Sequence, residues 1–69
     1  MQEPRAKGLI QYYNVDRGYG FVIPYGSKDP IYFECTAFAD GLKIVSEGQQ
    51  VSFRIVLNDW RHVAEDIQP

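Results

Sequence analysis

The sequence predicts an all-β domain: five short antiparallel strands closed into a small barrel, with little or no helix. Three observations lead there. Turn signals recur at short intervals, at residues 14–18, 24–30, 40–41, 47–48 and 58–59. The pieces between them are short and rich in β-branched and aromatic residues, as strands of about five or six residues are. Only residues 36–45 space their apolar side chains like a helix, with Phe38, Leu42 and Val45 behind a Thr36 cap. Gly41 interrupts that stretch, so a single turn followed by a loop is expected there. Closing the sheet removes the edges through which short strands aggregate.

The strands are expected at residues 8–13, 19–23, 31–35, 50–57 and 62–67. In the third, Ile31 and Phe33 take one face while Tyr32 and Glu34 take the other, so Tyr32 shares the wet face with a carboxylate. In the fourth, Val51, Phe53 and Ile55 alternate with Ser52 and Arg54, which places three apolar side chains inward. Tyr13, Phe33 and Phe53 are expected in the core. For Tyr25 and Phe38, packing beneath loops is the favoured reading over ligand contact. Residues 1–6 read as a short polar arm and residues 7–69 as one domain.

Composition narrows the function. The chain has 69 residues, a net charge of −2 and ten aromatic residues (five Tyr, four Phe and one Trp). A domain this small buries only about 60% of its unfolded surface, so some of those rings must lie outside the core. The single Cys35 forms no intrachain disulfide and the start MQEPRAKG lacks an apolar export segment, which points to a reducing cytoplasm. No apolar run approaches the ~20 residues of a membrane span. With one histidine, His62, and one cysteine, neither a zinc tetrad nor a Cys/His nucleophile pair assembles. Glu65 and Asp66 are adjacent and so face opposite ways on a strand. No enzyme, metal or small-molecule cofactor is expected. A pI near 5.1 argues against strong attraction to duplex DNA or anionic lipid, yet it leaves room for a single strand held by stacking.

The informative motif is Arg17-Gly18-Tyr19-Gly20-Phe21-Val22, which alternates aromatic residues with glycine behind a basic residue. Tyr19 and Phe21 are two apart and point to one face of a strand, while the glycines leave close approach unobstructed. Two rings side by side make a platform for two unstacked bases, each stack contributing about 1–3 kcal/mol. Arg17 at its edge meets a phosphate or lies on a base plane.

From about residue 7 to 67 the chain resembles the bacterial cold-shock domain, an OB-fold barrel. Gly8-Leu9-Ile10-Gln11-Tyr12-Tyr13-Asn14 is similar to the family's Gly-x-Val-Lys-Trp-Phe-Asn. The Arg17 to Val22 segment is similar to Lys-Gly-Phe-Gly-Phe-Ile, and Ile31 to Ala37 to Val-Phe-Val-His-x-Ser-Ala. Glu47-Gly48-Gln49-x-Val51-x-Phe53 repeats Glu-Gly-Gln-x-Val-x-Phe, and residues 64–67 resemble its closing Ala-x-Asn-Val. The resemblance implies a binder of single-stranded RNA or DNA, an RNA chaperone or transcription antiterminator; a closed barrel makes a monomer the expectation, and the exposed aromatic face leaves a dimer open. It implies that Tyr12, Tyr19, Phe21 and Tyr32 stack on bases.

The departures concern strength. Gln11 replaces a Lys, Glu34 a His, Cys35 a frequent aromatic and Leu42 a loop aromatic. A carboxylate at Glu34 repels a bound backbone, or accepts a hydrogen bond from a cytosine amino group or a guanine edge. Trp60 and Arg61, in the turn before the last strand, either add a stacking and phosphate pair or, for Trp60, cap the barrel's open end. The competing function is an OB-fold protein-interaction module with weakened or lost nucleic-acid binding, which the net charge, Gln11 and Glu34 favour. The intact Arg17 to Val22 segment and four outward rings weigh against it.

Overall fold

The computed structural model describes residues 5–39 and 46–69. Five strands, β1 (Ala6–Asn14), β2 (Tyr19–Pro24), β3 (Ile31–Glu34), β4 (Gln50–Asn58) and β5 (Arg61–Gln68), close into a barrel in the order β1-β2-β3-β5-β4. Four seams are antiparallel. The fifth, between β3 and β5, is parallel and carries the pair Tyr32 and Val63. That seam sets the start of β5 beside β3 and so brings Arg61 to the face formed by β1, β2 and β3.

The core is small and apolar. Ile10, Val22, Phe33, Val51, Phe53 and Ile67 are fully buried, each contributing roughly 1.5–3 kcal/mol of burial. Tyr13 and Phe38 pack against it, with rings 5.8 and 5.5 Å from that of Phe33. Phe38 therefore does the packing expected of it. Tyr25 does not: it is 55% exposed.

Two bulges decide which side chains face out. In β1 the register shifts between Ile10 and Tyr12, so Gln11 is the extra residue. Ile10 points inward, Gln11 and Tyr12 both lie on the outer face, and Tyr13 returns to the core side. In β5 the shift falls opposite Ser52 and Arg54, where Asp66 adopts φ 54°. Arg5 holds this bulge through its Nη1 to the Asp66 carboxylate and its Nη2 to the Asp66 carbonyl, both at 2.7 Å. Such a half-exposed pair contributes at most about 1 kcal/mol. Ile55, expected inward with Val51 and Phe53, is 40% exposed: the β1 ladder on β4 ends at Phe53, so Ile55 lies in the stretch of β4 that pairs with β5 alone.

Two local expectations are corrected. Cys35 does not end β3 but opens a single 3-10 turn, Cys35–Ala37, and Thr36 sits inside that turn rather than capping it. Leu42 and Val45 lie outside the described residues. The β4–β5 connection is a two-residue turn, Asp59 and Trp60, closed by the pair Asn58 and Arg61. Both turn residues have positive φ, 52° and 66°, which matches the type I′ geometry that hairpin twist favours. Asp tolerates it; Trp rarely does.

Candidate nucleic-acid interface

The interface grows from β2, where Tyr19 and Phe21 point outward and Gly20 and Val22 inward. Gly20 is required by packing. A Cβ there would collide with the Tyr12 carbonyl oxygen and come within 2.8 Å of Phe33 Cζ. The glycine thus lets β1 and the Phe33 ring close up behind the outer rings. Gly18, at φ 72°, turns the chain into β2. Cys35 N–H donates to the Gly18 carbonyl at 2.8 Å, which ties the end of β3 to that turn.

Pairing then assembles four rings. Phe21 lies opposite Tyr12 on one side and Tyr32 on the other. Tyr12 sits 5.9 Å from Tyr19 and 6.4 Å from Phe21, while Tyr32 sits 6.1 Å from Tyr19, nearly parallel to it, and 5.9 Å from Phe21. All four remain at least partly exposed. Such contacts hold rings in place at about 0.5–1.5 kcal/mol per pair and leave their outer faces open.

The polar residues frame this surface. Arg61 reaches across the parallel seam and sets its guanidinium 4.6 Å from the Tyr32 ring centroid, a cation–π contact that adds a flat cationic surface to the rings. Trp60 stands beyond it at 94% exposure. It caps nothing. Glu34 is exposed opposite Tyr19, and Gln11 is exposed at the bulge. Arg17, in the turn before β2, is near enough to Tyr19 for its charge to favour the phenolate. That effect loses to the Tyr12 hydroxyl, whose hydrogen bond and charge, followed by partial desolvation, hold the Tyr19 pKa above its ordinary value. Tyr19 is therefore a neutral hydroxyl at physiological pH.

All nine residues singled out in the sequence fall on the β1–β2–β3 face, the turn beside it or the β4–β5 turn. One contributor was missed. Asn14 donates through Nδ2 to the Tyr12 hydroxyl at 3.2 Å and accepts from the Arg17 N–H at 3.0 Å, joining the platform to the basic turn. Its place at the start of a turn was the available signal.

The profile of the 'Cold-shock' DNA-binding domain matches residues 6–69. The chain belongs to that family. Among its cold-shock relatives, cold shock protein CapB of Pseudomonas syringae pv. tomato is 33% identical over 64 residues, 93% of each chain. Cold shock protein CspB of Bacillus caldolyticus is 39% identical over 51 residues, covering 72% of this chain and 76% of its own. Among solved structures, Drosophila Unr CSD456 superposes with a TM-score of 0.79 at 23% identity, over 94% of this chain and 26% of that one. Membership supports nucleic-acid binding as the general function of this cold-shock domain. Among the described residues no helix is long and apolar enough to cross a membrane.

Proposed function

We propose that this protein binds single-stranded RNA or DNA by stacking bases on Tyr12, Tyr19, Phe21 and Tyr32, and acts as an RNA chaperone or transcription antiterminator. The observation that carries the reading is the four-ring cluster on one partly exposed face, with the Arg61 guanidinium over Tyr32. A merely structural cluster would be covered; this one has its faces toward solvent on a domain of the cold-shock family. Arg17 near Tyr19 and Arg61 over Tyr32 supply positive charge, and Gln11 adds a neutral hydrogen-bonding edge. Trp60 holds a backbone conformation that costs a bulky residue about 1–2 kcal/mol while almost wholly exposed, which fits a side chain kept for contact rather than for packing. The reading is of a cytoplasmic binding protein, a monomer working without metal or cofactor.

Few phosphates are neutralised in this arrangement, so binding relies on stacking. Fluorescence anisotropy with labelled oligo-dT and a mixed RNA heptamer at two salt concentrations tests it. The expected result is micromolar or tighter affinity for single strands, little for duplex, and a shallow salt slope. No binding at low salt would sink the reading and promote the interaction module. Glu34 stands two residues from Tyr32 on the same face, so Glu34→His is expected to tighten binding several-fold by removing a charge that repels phosphate. Opening of a quenched hairpin reporter, with and without protein, tests the chaperone role.

A further inference from the structure

The outward phase of β2 does not stop at Phe21. Ile23 and then Tyr25 follow at the same spacing of two, and β1 runs alongside with Leu9 opposite Ile23. The ladder extends one step past the strand end, because Tyr25 N–H donates to the Lys7 carbonyl at 2.9 Å, so Tyr25 lies opposite Lys7 as Gly8 lies opposite Pro24. Leu9 and Ile23 are half-buried; Tyr25 and Lys7 are exposed. The outer face of β1 and β2 is therefore a track. It starts at the rings of Phe21 and Tyr12, crosses an apolar floor of Leu9 and Ile23, and ends in an exposed phenol beside an ammonium group. Four residues at about 3.3 Å each separate Tyr25 from Phe21, roughly 13 Å.

We infer that Tyr25 and Lys7 form an additional subsite for the same single strand, Tyr25 stacking one base and Lys7 meeting the neighbouring phosphate. This rests on the stacking function proposed above. The chemistry selects this occupant: the track is continuous with the ring platform, its floor is apolar as a base face requires, and its far end carries the positive charge that a phosphate needs. A single strand lying along β2 occupies both regions, within the four to sixteen or so nucleotides that OB-fold sites cover.

The test compares the wild type with Tyr25→Ala, Tyr25→Phe and Lys7→Gln, using labelled dT tetramer and dT octamer and checking each variant by thermal melting. The tetramer fits the four-ring platform; the octamer reaches the track. Tyr25→Ala is expected to weaken octamer binding roughly five- to tenfold, the lower end of one lost stack, while changing tetramer binding less than about twofold. Tyr25→Phe should restore the octamer, and Lys7→Gln should reduce the octamer salt slope by about one. Octamer affinity unchanged in folded Tyr25→Ala, or equal losses for both lengths, would overturn the subsite while leaving the platform standing. A wild type that binds neither oligonucleotide overturns both.

Discussion

Two aromatic clusters share one sheet and back onto each other. The buried Phe33, with the half-buried Tyr13 and Phe38 against it, forms the inner cluster with centroids 5.5–5.8 Å apart, and Tyr12, Tyr19, Phe21 and Tyr32 form the outer one at 5.9–6.4 Å. Gly20 is the partition, its missing side chain filled from behind by Phe33. Spacing alone does not separate the two groups. What does is coverage at the centre: the inner cluster is built on the fully buried Phe33, with the half-buried Tyr13 and Phe38 packed against the core of Ile10, Val51, Phe53 and Ile67, whereas no ring of the outer cluster is fully buried. Equivalent contacts complete a core in one place and leave a partly exposed surface in the other.

The division can be broken from either side. Phe33→Ala should cost about 3–5 kcal/mol in denaturant unfolding, a large part of what a domain of this size holds at roughly 0.05–0.15 kcal/mol per residue. Phe21→Ala should cost far less stability but lower single-strand affinity by about 1–3 kcal/mol, measured by titration of the folded variant. If both substitutions lowered stability alike and binding not at all, the outer cluster would be structural. Trp60→Gly should raise stability by about 0.5–1 kcal/mol by relieving the left-handed backbone, with weaker binding as its counterpart; a lower melting temperature would contradict the strain.

The smallest effect is read by alkaline absorbance titration. Tyr13 is raised above its ordinary pKa first by burial and then by negative charge on the nearby Cys35 sulfur, Tyr19 chiefly by the Tyr12 hydroxyl. Both ionise later folded than unfolded, so their contribution to stability is complete below pH 10 and is lost as pH climbs through the folded values. Tyr12→Phe should lower the Tyr19 transition and leave that of Tyr13 in place. A shift in both would mean the clusters are coupled.

Much of this was legible in the sequence. Turn residues and alternation marked all five strands, and the spacing of Tyr19 and Phe21 marked the platform, because these are local patterns. What escaped was long-range or compensatory. The parallel β3–β5 seam places Arg61 on Tyr32 across 29 positions of chain, and no local pattern records such a pairing. Ile55 reads as core because alternation does not record that the β1 ladder on β4 ends at Phe53. Tyr25 reads as packing beneath a loop because it falls in the turn segment 24–30, which hides the backbone bond to Lys7 that continues the outward row.

Trp60 is the chain's single indole, and its position makes it an unusual spectroscopic probe. At 94% exposure its surroundings barely change when the barrel opens, so its emission should start near the fully hydrated maximum and report little of unfolding, which tyrosine signals and circular dichroism must follow instead. The same side chain, beside the Arg61 that lies on Tyr32, should respond strongly when a base arrives. Emission from this protein is thus expected to be silent to denaturant and loud to ligand, the reverse of a reporter set in a core.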